Sequence, residues 1–267
     1  MSTLRIYDAN NYLRRHFEKG ASVQSIVPQY QSCVSLWVFD GAGALARRRA
    51  IYPDYKVKRD RETPTLNGAY DFLKAVKVEL LPHCENAIVL DMPGWEADDV
   101  IAHLVLAYEQ VSGITAIELY SNDGDFLQLK ASSKKLKIMD TIKLAEQVRP
   151  PLIRLYKTLV GDSSDNIPGL KGFGDKAFAG MSPSLISNWV QYLIGVNDED
   201  LVKDLADSLK PAQRAWFLGE GKDLLRTFWK IVGFLPIDDD LVNSSMQVGA
   251  PDRDEYQRTC RQYMWGV

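Results

Sequence analysis

The chain is 267 residues long, enough for one large α/β domain or for a domain with a helical extension. Apolar residues make up 46% and charged residues 25%, an ordinary globular balance that excludes a disordered chain. The formal net charge of -3 gives no bulk support for nucleic-acid binding, but many carboxylates gathered at one metal site would mask a basic surface in the sum.

The first predicted strand is Leu4-Arg5-Ile6-Tyr7, which ends in Asp8 and is followed by Arg14 and Arg15. The second, Ser35-Leu36-Trp37-Val38-Phe39, ends in Asp40-Gly41. Residues 46–64 then read ARRRAIYPDYKVKRDRETP, dense in Arg and Lys with Tyr52 and Tyr55 interleaved. Apolar residues at helical spacing predict a helix over 67–80, and Ala87-Ile88-Val89-Leu90 predicts a strand ending in Asp91. Pro93-Gly94-Trp95 closes a loop, and Glu96-Ala97-Asp98-Asp99 opens a helical pattern over 97–111. A last strand, Ala116-Ile117-Glu118-Leu119-Tyr120, leads through Ser121-Asn122 to Asp123 and Asp125. All four runs are short, apolar and rich in β-branched or aromatic residues, as buried strands are. Beyond Arg149 the pattern is helical, over 150–160, 183–195, 199–209 and 211–232, with a Gly-rich stretch between the first two.

Strands alternating with helices predict an α/β fold with a mostly parallel sheet covered on both faces. In such sheets ligands bind beyond the carboxyl ends of the strands, which is where the aspartates fall. A boundary near 141–151 divides the chain into a sheet domain over 1–145, carrying the basic segment around 46–64, and a helical lobe over 146–267. The three cysteines, Cys33, Cys84 and Cys260, form no Cys-x-x-Cys, and the three histidines no His-x-x-x-His. A disulfide framework and a zinc site are therefore not expected. No apolar run approaches membrane-spanning length and residues 1–8 carry no signal-like segment, so a cytoplasmic protein without membrane contact is expected.

One aspartate after a strand is ordinarily a turn residue or helix cap. Asp8, Asp40, Asp123 and Asp125 at three strand ends, converging with Glu96 and Asp99 on one helical face, are a different matter. Like charges a few ångströms apart repel strongly, so protons or a hard cation must neutralise them. Oxygen ligands without His or Cys select Mg²⁺ or Mn²⁺. A further acidic pair, Asp162 and Asp165, lies in Gly161-Asp162-Ser163-Ser164-Asp165-Asn166-Ile167-Pro168-Gly169. After it, Leu170-Lys171-Gly172-Phe173-Gly174-Asp175-Lys176 reads as a Gly-x-Gly turn opening a helix, whose backbone amides suit a phosphate. In the basic segment the tyrosines, Tyr55 among them, are candidates for stacking unpaired bases.

Together these motifs resemble the flap endonuclease and 5′-3′ exonuclease family, which includes the 5′ nuclease domain of bacterial DNA polymerases and stand-alone bacteriophage enzymes. The pieces that match, in the family's order over 8–178, are the Asp8 strand end with Arg14-Arg15, Val38-Phe39-Asp40-Gly41, Tyr52-Pro53-Asp54-Tyr55-Lys56-Val57-Lys58-Arg59, Glu96-Ala97-Asp98-Asp99, Ser121-Asn122-Asp123-Gly124-Asp125-Phe126-Leu127-Gln128-Leu129 and the Gly161 to Gly169 loop. The resemblance implies a PIN-like sheet flanked by helices and a helix-three-turn-helix DNA-binding element around 150–195. It assigns Asp8, Asp40, Glu96, Asp98, Asp99, Asp123, Asp125, Asp162 and Asp165 to a site for two or more Mg²⁺ ions, with Mn²⁺ as substitute, and a K⁺ ion to the Gly-rich turn. Asp123 and Asp125 carry the chemistry with Lys56, which would stabilise charge on the scissile phosphate. Arg14, Arg15, Tyr55, Lys56, Arg59, Lys171, Gly172, Gly174 and Lys176 would hold the DNA. The implied substrates are flap, nicked or 5′-ended duplex DNA, with RNA–DNA hybrids as a further class, cleaved by a monomer during replication or repair.

Asp8-Ala9 departs from the family's usual Asp-Gly, and residues 181–267 align only loosely. The run Asp238-Asp239-Asp240 is expected to be a solvated loop. Two other readings compete. A non-catalytic branched-DNA-binding paralogue predicts missing ligands, and none is missing. A PIN-type ribonuclease would lack the Gly-rich turn.

Overall fold

The computed structural model describes residues 2–58 and 64–263. The chain forms two compact units that interleave in sequence: Met1–Ala44, Asp60–Leu144 and Pro236–Val267 make a sheet unit, Leu45–Arg59 and Ala145–Leu235 a helical one. A single cut near residue 145 therefore matches one of the four crossings between them. Most of the basic segment belongs to the helical unit, and the C-terminal residues return to the sheet unit.

Among the described residues the sheet unit carries six strands, β1 Ser2–Asp8, β2 Ser35–Asp40, β3 Ala87–Met92, β4 Ile114–Tyr120, β5 Leu136–Ile138 and β6 Met246–Val248, in the order β5-β4-β1-β2-β3-β6. All pairs are parallel except β6 on β3, so the sheet is the expected mostly parallel one with one antiparallel edge. β2 is buried from Ser35 to Phe39, as a strand covered on both faces must be. The register sets the edge that matters: Asp8 lies opposite Val38, Asp40 opposite Met92, and Tyr7 opposite Tyr120, so Asp8 and Ser121 leave the sheet side by side.

One face of the sheet is aromatic. The Tyr7 ring stacks on Trp37 at 4.0 Å and on Tyr120 at 4.5 Å. Leu13, Phe72, Val76 and Leu80 complete this core, with Tyr256 and Cys260 from the C-terminal helix Arg253–Tyr263. Burying such a side chain contributes about 2–3 kcal/mol each. The C-terminal helix is pinned by the Tyr256 hydroxyl donating to the Val27 carbonyl (2.7 Å) and the Thr259 hydroxyl to that of Glu79 (3.2 Å). The helix predicted over 67–80 is α-helical across Pro64–Ala75 and widens into a π-turn at Val76–Leu80. Asp91 is neutralised by Lys77 and takes no part in the acidic edge. The Asp238-Asp239-Asp240 run is no loose loop. Asp238 caps the helix Asp239–Ser244, and Asp239 receives His103 Nε2 at 3.1 Å.

The helical unit contains Ala46–Ile51, Ile153–Leu159, Asp175–Ala179, Pro183–Leu193, Glu199–Asp207, Pro211–Trp216 and Lys222–Val232. The single helix expected over 211–232 breaks at Gly219 (φ -88°, ψ -117°), and a side chain on Gly221 would run into the Trp216 ring. Two arginines satisfy the carbonyl end of Lys222–Val232. Arg48, buried, donates to Ile231 and Gly233 carbonyls at 2.9 and 3.1 Å, and Arg154 donates to that of Trp229 at 2.8 Å while lying 4.1 Å over its ring. Burial lowers the Arg154 pKa to about 10. Among the described residues, no helix is long and apolar enough to cross a membrane.

Candidate active site and metal centre

The acidic edge is assembled by two loops and one hydroxyl. β2 can turn directly after Asp40 only because Gly41 has no side chain: a Cβ there would sit 1.8 Å from the Met92 carbonyl oxygen. Gly41 N–H donates to the Trp95 carbonyl, and Gly94 N–H, at a φ of 77°, to that of Ala42. These bonds lace the Asp40 loop to the Pro93-Gly94-Trp95 loop. As a result Asp40 Oδ1 accepts the Ala97 amide at 2.9 Å, the first amide of the helix Ala97–Glu109, whose opening turn carries Glu96, Asp98 and Asp99. Glu96 and Asp99 are buried, Asp98 is half-buried and Asp40 exposed.

Ser121 joins the other side. Its hydroxyl donates to Asp8 Oδ2 at 2.7 Å and accepts the Asp123 amide at 3.1 Å, while Asp123 Oδ1 accepts the Asp125 amide at 2.9 Å. Asp8 is 5% exposed. Its carboxyl is pushed up to about 7, by burial first and then by the charges of Asp40 and Asp123, against the opposing bonds from Ser121 and Asn11. A buried acid that holds its proton near neutrality marks a group of carboxylates short of positive charge. Asn10 adds an orphan: its amide nitrogen donates to Asp40 Oδ2 at 3.0 Å, while its buried Oδ1 finds no partner among the described residues. An all-oxygen set with a proton-hungry member and an unsatisfied amide oxygen fits a hard, hydrated divalent cation.

The acids of the helical unit have a different electrostatic setting. Asp162 N–H and carbonyl exchange 2.8 Å bonds with Ile167, closing a tight loop between Gly161 (φ 100°) and Gly169 (φ 66°). Asp162 Oδ2 lies 2.8 Å from Lys157 Nζ. Burial works to raise its pKa, but the lysine and the Ser164 bonds prevail and hold it below the usual range. Asp165 faces Lys56: the Lys56 amide donates to its carbonyl at 3.0 Å, the ammonium sits 3.7 Å from Oδ1, and the Tyr55 hydroxyl donates to Oδ2 at 3.4 Å. Lys56 is 5% exposed and holds a left-handed backbone (φ 53°), a conformation that costs a lysine energy. Its ammonium also lies 4.9 Å over the Tyr55 ring.

The remaining predicted residues divide. Lys171, Gly172 and Gly174 are exposed on the turn before the helix Asp175–Ala179, with Gly172 at a φ of 72°, and Lys176 is exposed in that helix's first turn. Arg14 is exposed and paired with Glu18. Arg59 lies outside the described residues. Two expectations change. Tyr55, a candidate for base stacking, is 2% exposed, and its ring serves its own unit. Arg15 is not a free surface cation, because Asp140 and Asn11 take its guanidinium. Asn10, Asn11, Ser121 and Asn122 are invisible to a search for acids and cations, and Asp140 looks like an ordinary solvated acid. Only Ser121-Asn122, as the link between strand end and aspartate, offered a signal.

The model of a family described as 5′-3′ exonuclease, N-terminal resolvase-like domain, matches residues 4–153. The chain belongs to the 5′-3′ exonuclease family. It is thus a nuclease, a hydrolase of phosphodiester bonds. A 5′-3′ exonuclease of Aquifex aeolicus is 30% identical over 225 residues, 72% of this chain and 75% of that one. The thermostable DNA polymerase I of Thermus aquaticus is 31% identical over 229 residues, 81% of this chain but 24% of the polymerase. Against the Mycoplasma pneumoniae 5′-3′ exonuclease the match is 34% identical and spans 48% of this chain and 46% of that one. In fold, the exonuclease is similar to the bacteriophage T5 flap endonuclease solved as a pseudo-enzyme–product complex with DNA and metal ions (TM-score 0.65, 20% identity, 98% of both chains). It is also similar to the T5 5′-exonuclease with bound zinc (TM-score 0.60, 19% identity, 99% of this chain and 100% of that one).

Proposed function

We propose that this exonuclease cleaves DNA at 5′ ends, flaps and nicks by a divalent-metal mechanism, leaving a 5′-phosphate and a 3′-hydroxyl. The observation that carries the reading is the gathering of carboxylates at the carboxyl edge of the sheet, where Ser121 ties Asp8 to Asp123 and Asp125, and Asp40 accepts the first amide of the helix that carries Glu96, Asp98 and Asp99. Two or more Mg²⁺ ions, replaceable by Mn²⁺, supply water activation and leaving-group stabilisation when bound. By the family resemblance, Asp8, Asp40, Glu96, Asp98, Asp99, Asp123, Asp125, Asp162 and Asp165 are the residues that would hold them. Lys56 neutralises charge on the scissile phosphate, held for that task by Asp165 and by its fixed left-handed backbone.

The segment from Ile153 to Leu193 acts as the helix-three-turn-helix duplex grip. Its Gly172 and Gly174 amides and its flanking Lys171 and Lys176 meet the phosphate backbone without reading bases. By the family resemblance, this turn would also hold a K⁺ ion, which would add positive charge toward the phosphate. Arg14 and Arg59 add backbone contacts. The enzyme works as a monomer on DNA, with RNA–DNA hybrids as a second substrate class. Removal and return of metal tests the reading: cleavage of nicked duplex should stop in EDTA and resume with Mg²⁺ or Mn²⁺, and full cleavage by purified protein in chelator would overturn it.

A further inference from the structure

Within the sheet unit, Arg15 is placed where a surface cation has no reason to be. On the helix Ala9–Glu18 its guanidinium lies across Asp140, beyond β5, in a two-pronged pair: Nη1 to Oδ1 at 3.2 Å and Nη2 to Oδ2 at 2.7 Å. Arg15 is 19% exposed and Asp140 26%, so the pair is largely withdrawn from water. The third donor, Nε, reaches Asn11 Oδ1 at 2.9 Å. Asn11 passes the constraint on, its Nδ2 donating to Asn122 Oδ1 at 2.8 Å and its Oδ1 accepting the Asn122 amide at 3.4 Å. Asn122 is the residue between Ser121, which holds Asp8, and Asp123, which holds Asp125.

We propose that the Arg15–Asp140 pair is a positioning device: through Asn11 it fixes the Asn122 peptide and so sets where Asp123 and Asp125 stand relative to Asp8. The chemistry favours this over a phosphate contact. Three of the five guanidinium N–H donors are matched to acceptors, and the two-pronged edge that would span a phosphate is already spent on Asp140. Asn11 can point its oxygen at Arg15 and its nitrogen at Asn122 only in one amide orientation, which the arginine enforces. The inference rests on the metal reading above, since the positioned carboxylates matter only as ligands. Partners that orient metal ligands from behind typically change metal affinity or activity about 10- to 100-fold when removed.

The test uses the full chain and Mn²⁺ as probe, with affinity read from the paramagnetic resonance of free Mn²⁺. Arg15→Gln, Arg15→Lys, Asp140→Asn and Asn11→Ala should each weaken Mn²⁺ binding about 10-fold. Affinity for nicked duplex in chelator should stay at the wild-type value. Arg15→Lys is the discriminating variant, because an ammonium keeps the charge but cannot span Asp140 and Asn11 together. Asn11→Ala leaves the ion pair intact, so it separates loss of positioning from loss of fold should the charge variants melt early. If Arg15→Lys binds Mn²⁺ normally while Arg15→Gln loses duplex affinity and about one unit of salt slope, Arg15 is a phosphate contact and the proposal fails. Wild-type protein that bound no Mn²⁺ would instead defeat the metal reading, while equal binding by wild type and all four variants would defeat only this inference.

Discussion

Replacing Asp8 by asparagine should make the metal-free chain harder to unfold. In the folded protein the Asp8 carboxyl titrates at about 7, driven there by burial and by Asp40 and Asp123. In an unfolded chain an aspartate titrates near 3.9, and each tenfold change in acidity corresponds to about 1.4 kcal/mol. The folded state therefore holds a proton that the unfolded state releases between those two values, so stability is highest below about pH 4 and declines as pH rises through about 7. The resulting penalty on the folded state is on the order of 1–2 kcal/mol at pH 5 and about 4 kcal/mol at pH 8. Asparagine escapes it and keeps an acceptor for Ser121, at the loss of the long 3.4 Å bond from the Asn11 amide. That loss takes back about 1 kcal/mol, leaving a net gain of about 3 kcal/mol at pH 8. For a chain of this size the gain corresponds to roughly 5–10 °C in Tm. Thermal melts in EDTA at pH 5 and pH 8 read it directly, with the gap between variant and wild type widening at the higher pH. With saturating Mg²⁺ the order should invert, because only the wild type keeps a full ligand set. An unchanged or lower Tm for Asp8→Asn in EDTA at pH 8, or a gap of the same size at both pH values, would refute the crowded-carboxylate account.

Other perturbations test other parts. Lys56→Ala should lower the single-turnover rate about 10²- to 10³-fold at saturating DNA while Kd shifts little; a fall in affinity alone reduces Lys56 to a backbone contact. Gly41→Ala should destabilise the fold by about 2–4 kcal/mol, seen in denaturant melts, because its Cβ would overlap the Met92 carbonyl. Gly172→Val with Gly174→Val should weaken binding to nicked duplex evenly across sequences while sparing short single strands, and Lys176→Ala should reduce the salt slope by about one phosphate. Duplex binding unchanged across a salt titration moves the grip elsewhere.

What the sequence displayed, and what it hid, follows from length of pattern and from chemistry. β1 to β4 are short, mostly apolar runs closed by an acid or a polar loop, and each was readable. β5 and β6 are three residues long, too short to show a period, and β6 pairs antiparallel with β3 from far along the chain. The return of the C-terminal helix to the sheet unit did have a signal. Tyr256, Thr259, Cys260 and Tyr263 stand at helical spacing on an otherwise charged segment, and the first three are buried. The acids of the site were legible because many carboxylates at strand ends are hard to explain otherwise. Their supports were not. Asn11, Ser121 and Asn122 are neutral, and Asp140 looks like any solvated acid until Arg15 is placed against it. Tyr55 misled for the opposite reason, since an aromatic among arginines reads as exposed until Arg48 and Lys56 are seen against its ring.

The central claim is that these carboxylates hydrolyse DNA from its 5′ side. The most direct test is single-turnover cleavage of end-labelled 5′ flap, nicked duplex and RNA–DNA substrates in Mg²⁺, with Asp123→Asn as the blank. Wild type should give 5′-phosphate products from flap and nick, and Asp123→Asn none while still binding the same DNA. Equal cleavage by the Asp123→Asn protein, or no cleavage of any 5′-ended substrate by wild type with metal present, would contradict it.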